Sequence, residues 1–149
     1  MKARAIRRLE KEKEKLLSTG EFELLECSED LTTWRIRFEC PEGTIYSGEK
    51  YILRFTFEQN YPIDSPEVVF DGKTPVHEHV YTNGYICLST LYDDGWKPSM
   101  TIDSTIRSII SMLCSAKRKR RPRDNNITVR ETKGQRAKDQ HWTFHDDTC

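Results

Sequence analysis

The sequence predicts an α+β domain: an N-terminal helix, a four-stranded antiparallel meander, a long irregular segment and a central helix. Three observations lead there. Residues 3–17 carry a thin apolar stripe among charges, two later runs alternate cleanly between apolar and polar residues, and residues 101–115 repeat Ile and Leu at helical spacing. At 149 residues the chain suits one domain around one core.

In the first helix Ile6, Leu9, Leu16 and Leu17 form the stripe, and Ser18-Thr19-Gly20 ends it, glycine suiting the position after a helix. Phe22–Cys27 reads as the first strand. Thr33–Cys40 sets Trp34, Ile36, Phe38 and Cys40 on one face and Arg35, Arg37 and Glu39 on the other. Pro41-Glu42-Gly43-Thr44 is a turn. Tyr51–Glu58 alternates again, with Tyr51, Leu53, Phe55 and Phe57 sharing a face, and Glu67–Phe70 is a short fourth strand. Short connections make an antiparallel meander the economical topology. Residues 71–100 show no period, and a long irregular stretch inside a compact domain is usually functional. In the second helix Ile102, Ile106, Ile109, Ile110 and Leu113 share a face, Thr101 is suited to cap the start, and Asp103 to complement the dipole.

Beyond Ala116 the pattern stops. The expected organisation is a core over residues 1–116 and a basic, partly mobile C-terminal extension over 117–149, with little to bury before its final aromatic residues, which are suited to dock on the body. The formal net charge is zero but uneven. Residues 1–15 hold seven Lys/Arg against three Glu, residues 117–138 ten against two acids, and the stretch between them seven against sixteen. The body is acidic and both ends are basic. No apolar run approaches the roughly 18 residues that cross a membrane, and the start lacks a secretory apolar stretch; the expected location is cytoplasmic and nuclear. Five cysteines, none two residues from another, argue against a zinc site or a full disulfide framework, and no cofactor is implied.

The chemically informative stretch is His77-Glu78-His79, followed by Asn83-Gly84 and Ile86-Cys87-Leu88. A nucleophilic cysteine must be reachable and needs neighbours that hydrogen-bond or carry positive charge. Spacing alone leaves a buried structural cysteine the commoner reading.

These residues, with Trp96-Lys97-Pro98 and Tyr61-Pro62-Ile63-Asp64-Ser65-Pro66, resemble the ubiquitin-conjugating family, whose core reads His-Pro-Asn, Asn-Gly, Ile-Cys-Leu and Trp-x-Pro. Gly43–Glu49 resembles the family's segment between its second and third strands, and the likeness runs in order over about residues 5–116. It is nearest to the W-type enzymes, which also place His before the cysteine and share the runs Ser108–Leu113, Arg120–Asn125 and His145–Cys149. The resemblance implies the ubiquitin-conjugating fold and a cysteine acyltransferase. Cys87 would accept ubiquitin from an activating enzyme as a thioester and pass it to an amine. For the W-type, the acceptor is the α-amino group of a flexible substrate N-terminus, which receives a single ubiquitin.

Catalytic roles are expected for Cys87 and His79. His79 holds the position of the family's Asn; it suits an oxyanion donor, a base, or a brace. His77, Glu78, Asn83 and Trp96 are expected to support the site. Glu78 stands where relatives have Pro, and one residue more than usual separates Cys87 from Trp96, so that Tyr92–Gly95 reads as a longer flap. Arg7, Arg8 and Lys11 match the face that meets the activating enzyme, and Ile63, Pro98 and Ser99 match the loops that meet RING or U-box ligases. Ubiquitin, the activating enzyme, such ligases and protein substrates are the expected partners. The basic run lacks the interleaved aromatics of a nucleic-acid module, so neither nucleic acid nor membrane is expected. The alternatives are an inactive ubiquitin-binding variant, conjugation of another ubiquitin-like modifier, or lysine as acceptor.

Overall fold

In the computed structural model, which describes residues 1–92 and 94–140, α1 (Ala3–Thr19) leads into four strands: β1 (Glu23–Cys27), β2 (Thr33–Glu39), β3 (Lys50–Thr56) and β4 (Glu67–Asp71). A 3-10 turn (Ser89–Leu91), α2 (Ile102–Cys114), α3 (Asn125–Glu131) and a second 3-10 turn (Ala137–Asp139) follow. The strands pair antiparallel in the order β1-β2-β3-β4, as the meander predicted. Register follows the alternation: Ile36 faces Leu53, which faces Phe70, and Trp34 faces Phe55, which faces Val68. Trp34, Ile36, Phe38, Tyr51, Leu53 and Phe55 are all buried. With side-chain period two, a slip of one residue would expose that whole set.

Both helices pack on this core, α1 through Ala5, Leu9 and Leu16, and α2 through Ile102, Ile106, Ile109, Met112 and Leu113. Gly20 takes φ +64° and ends α1, two residues beyond the expected end. Thr101 caps α2 by accepting from the Ser104 amide at 3.0 Å, while Ser104 Oγ accepts from the Thr101 amide at 2.8 Å. This is a capping box closed by serine.

Glu12 is a structural residue that helix periodicity misses. Only 8% exposed, it accepts from the Tyr61 hydroxyl at 2.5 Å, the Ile102 amide at 2.7 Å and Arg8 Nε at 3.0 Å. One carboxylate thus joins α1, the β3–β4 loop and the start of α2. A carboxylate at a helix N-terminus is also favoured by the dipole.

The extension differs from its expectation. Residues 117–140 fold back along the β4 end of the sheet and include α3, which composition alone does not announce. Ala137 is 1% exposed, its amide donates to Glu67 Oε2 at 2.9 Å, and Lys138 Nζ donates to the Ser65 carbonyl at 2.8 Å. The partners are acids and carbonyls of the body, so a basic segment finds polar contacts there beside the buried Ala137. The closing aromatics His141–His145 and the run His145–Cys149 lie outside the described residues.

Candidate active site

The segment after β4 is held by backbone pairing. His77 bridges Val80, and Val80 bridges Ile86. Tyr81 and Tyr85 close a turn at 2.9 Å, with Asn83 Oδ1 accepting from the Tyr85 amide at 3.1 Å. Gly84 occupies that turn at φ +93°, and its carbonyl accepts from the Phe70 amide at 2.9 Å. A β-carbon there would lie 2.3 Å from the Phe70 carbonyl oxygen, so the turn is pressed on β4 and needs glycine. The Cys87 amide then donates to the His79 carbonyl at 2.8 Å. This bond brings the two expected catalytic residues side by side.

Bonds at both ring nitrogens hold His77. Its Nδ1 accepts from the His79 amide at 2.9 Å, and its Nε2 lies 3.2 Å from the Met112 carbonyl. A carbonyl only accepts, so Nε2 carries the proton and the ring is the neutral Nε2–H tautomer. His77 therefore ties the loop to the end of α2. The ring of His79 lies 5.3 Å from that of His77 and is 4% exposed. Two cavities, of about 280 and 430 Å³, meet at Glu78 and His79. The first is walled by Lys117 and Arg118, the second by Arg120–Asp124. Glu78, half exposed, lies 3.9 Å from Arg120.

Cys87 is 1% exposed, and this overturns the expectation of a thiol open to solvent. The sulfur is not part of the main core. Cys87 forms a separate small cluster with Tyr81, against which Tyr85 and Val129 of α3 pack. The extension contributes to this closure, with Val129 packed on the cluster. The Tyr81 hydroxyl donates to Asp124 Oδ1 at 3.1 Å, the Thr82 amide to Asn125 Oδ1 at 3.0 Å, and Asn83 Nδ2 to Thr132 Oγ1 at 3.2 Å. Burial, then the nearby Asp124 carboxylate and Cys87, push the Tyr81 hydroxyl far above its ordinary range, so it stays a donor. The Tyr92 hydroxyl is pushed up by burial and by Cys87, and it donates to the Ile86 carbonyl. Cys40, in the core, is likewise pushed up by burial, to about 11.

Of the expected flap Tyr92–Gly95, Asp93 lies outside the described residues. The amides of Gly95 and Trp96 both donate to the Tyr92 carbonyl, at 2.9 and 2.8 Å, and a β-carbon on Gly95 would meet the Ser89 carbonyl at 2.3 Å. Trp96 is 7% exposed, and its Nε1 donates to the Pro62 carbonyl at 2.8 Å. This joins the loop bearing exposed Ile63 to the loop bearing exposed Pro98 and Ser99. Arg8, matched to the activating-enzyme face, turns inward: it donates to the carbonyls of Pro98 and Met100 at 3.2 and 2.9 Å, so α1 steadies the second loop. Arg7 and Lys11 remain exposed. Sequence reasoning assigned no role to Tyr81, Asp124 or Val129; Asp124 lies in the Arg120–Asn125 run, the one signal that pointed there.

Residues 3–145 match the family model "Ubiquitin-conjugating enzyme", and the chain belongs to that family. It is 50% identical over 120 residues to the probable ubiquitin-conjugating enzyme E2 W-A of Danio rerio, covering 80% of this chain and 78% of that protein. It is 46% identical to the ubiquitin-conjugating enzyme E2 W of Caenorhabditis elegans, covering 97% of each. The crystal structure of the ubiquitin-conjugating enzyme E2 UbcA1 from Agrocybe aegerita superposes with a TM-score of 0.79 at 40% identity, covering 87% of this chain and 95% of that one. The protein is thus a ubiquitin-conjugating enzyme of the cysteine thioester type, similar to the W-type enzymes, and works with ubiquitin, an activating enzyme and ligases. Among the described residues no group of side chains is suited to hold a metal, and no helix is long and apolar enough to cross a membrane.

Proposed function

We propose that Cys87 carries ubiquitin and delivers it singly to the α-amino group of flexible protein N-termini. The amine attacks the thioester carbonyl carbon, the carbon–nitrogen bond forms, the carbon–sulfur bond breaks, and the Cys87 thiolate leaves. The amine's surplus proton passes to water or to a neighbouring base. His79, bonded through its backbone to Cys87, supports the oxyanion or accepts that proton. His77, Asn83 and Trp96 hold the surrounding loops, while Arg7 and Lys11 face the activating enzyme and Ile63, Pro98 and Ser99 face ligases.

The observation that carries the choice of acceptor is the charge of the cavity walls. Lys117, Arg118, Arg120, Arg121 and Arg123 surround Glu78 and His79, with Asp124 the other acid. A lysine, with a free pKa near 10.4, is about one part in a thousand neutral at pH 7.4, whereas an α-amine near 7.7–8.0 is about a quarter neutral. The gap is roughly 3.5 kcal/mol. Cationic walls repel an incoming ammonium, so they favour the acceptor of which the larger fraction arrives neutral. The basic run also supports nuclear as well as cytoplasmic residence, which imaging of Lys117–Arg121 variants tests.

The deciding experiment discharges Cys87-linked ubiquitin onto free lysine and onto a short peptide with a free N-terminus. Preference for the peptide, lost on N-terminal acetylation, is expected; equal or faster transfer to lysine overturns the reading of the acceptor. Absence of a reducible adduct that Cys87→Ala removes overturns the reading of Cys87.

A further inference from the structure

We infer that residues 121–140 are a strap that closes over Cys87, and that this strap opens before ubiquitin is loaded. The inference rests on Cys87 being the loaded thiol. Two properties of the strap carry it. The first is that it packs where the thiol is closed. Cys87 is 1% exposed and Val129 packs on its cluster, yet thioester exchange needs the sulfur to reach a carbonyl carbon and then to accommodate the extended tail of another protein. The closed arrangement and the loaded enzyme exclude each other.

The second property is how lightly the seal is held. None of the residues of α3 is buried, and Ile127 is 52% exposed, so the helix contributes little apolar burial. With seven residues it is too short to stand without its contacts. What holds the strap is a line of polar contacts: Tyr81 to Asp124, Thr82 to Asn125, Asn83 to Thr132, Tyr85 to the Gln135 carbonyl, and the Arg136–Glu58 ion pair. The line ends at Ala137 and Lys138, docked on Glu67 and Ser65. Exchanges of this kind for water are individually small, and segments poor in buried apolar contacts open at low cost. Thr82 and Asn83 are exposed and Asn125 is half-buried, while Thr132 is buried at 6%; Arg136 and Glu58 are partly exposed, and none of these contacts belongs to the sheet ladder, so the line opens without unfolding the sheet. The apparent rate of loading is then the intrinsic rate multiplied by the open fraction.

The test follows the thiols of the full chain by peptide-resolved alkylation with iodoacetamide, which needs no ubiquitin and so separates this inference from the reading of Cys87 as the loaded residue. In the wild type, Cys87 is expected to react at least tenfold more slowly than Cys114, which is partly exposed. Ala137→Arg, which cannot keep the buried dock, and the double change Asn125→Ala with Thr132→Ala are each expected to raise the Cys87 rate about tenfold and leave Cys114 unchanged. Far-ultraviolet circular dichroism and thermal melts establish that each variant is folded. A second measurement uses the wild type alone: hydrogen exchange at the Thr82 and Ala137 amides, both bonded across the strap, is expected to accelerate once Cys87 carries a bulky maleimide. Rapid Cys87 alkylation in the wild type, or unchanged exchange at both amides after blocking, overturns the strap.

Discussion

The Cys87 amide donates to the His79 carbonyl at 2.8 Å, so the backbone itself ties the segment that carries the imidazole to the candidate nucleophile. Such pairing makes two roles of His79 separable: its carbonyl holds the loop in any variant, while its ring, on the proposed mechanism, is needed only where charge develops. His79→Ala is expected to leave thioester formation near wild type and to slow discharge onto an amine by about 10- to 100-fold. His79→Asn, which returns an amide donor, should recover much of that rate. Single-turnover charging and discharge assays distinguish the steps; equal loss in both would assign the ring to structure instead.

Gly84 is the tightest point of the site. Gly84→Ala would place a methyl 2.3 Å from the Phe70 carbonyl oxygen at φ +93°. A destabilisation of roughly 2 kcal/mol or more is expected in denaturant unfolding, from overpacking and backbone strain together. Gly43, with nothing near its missing β-carbon, is the control: Gly43→Ala there meets strain from its φ of +85° without a clash and should cost less.

Glu12 joins three elements through one buried carboxylate. Glu12→Ala would leave the Tyr61 hydroxyl and the Ile102 amide without this acceptor, and should cost roughly 3 kcal/mol. Glu12→Gln keeps one oxygen and should cost less. Chemical denaturation of both variants, with the unfolding slope compared to confirm two-state behaviour, gives the measurement.

Ile63 is 61% exposed beside the loop that Trp96 anchors. Ile63→Ala should change stability by less than about 0.5 kcal/mol. Its effect is expected in ligase-stimulated discharge, where loss of an interface anchor of roughly 1–2 kcal/mol lowers affinity about tenfold. Charging by the activating enzyme should be unaffected. Titration of a RING ligase into a discharge assay provides the comparison.

Much of this molecule is local in origin and was therefore legible along the chain. Period-two alternation placed Trp34, Ile36 and Phe38 opposite Tyr51, Leu53 and Phe55, and helical spacing with Thr101 placed α2, because side-chain period and capping are properties of neighbours in sequence. The His77-to-Leu88 run likewise marked the site through its turn chemistry. Contacts between distant segments decided the rest. That Glu12 caps α2 across 90 positions, that Arg8 steadies the loop at Pro98, and that Val129 of α3 packs on the Tyr81–Cys87 cluster depend on surfaces made only when the chain closes. A charged helix residue and a basic tail look solvated in sequence because nothing nearby pairs with them; the fold brings the buried donors, the acidic strand end and the carbonyls that do.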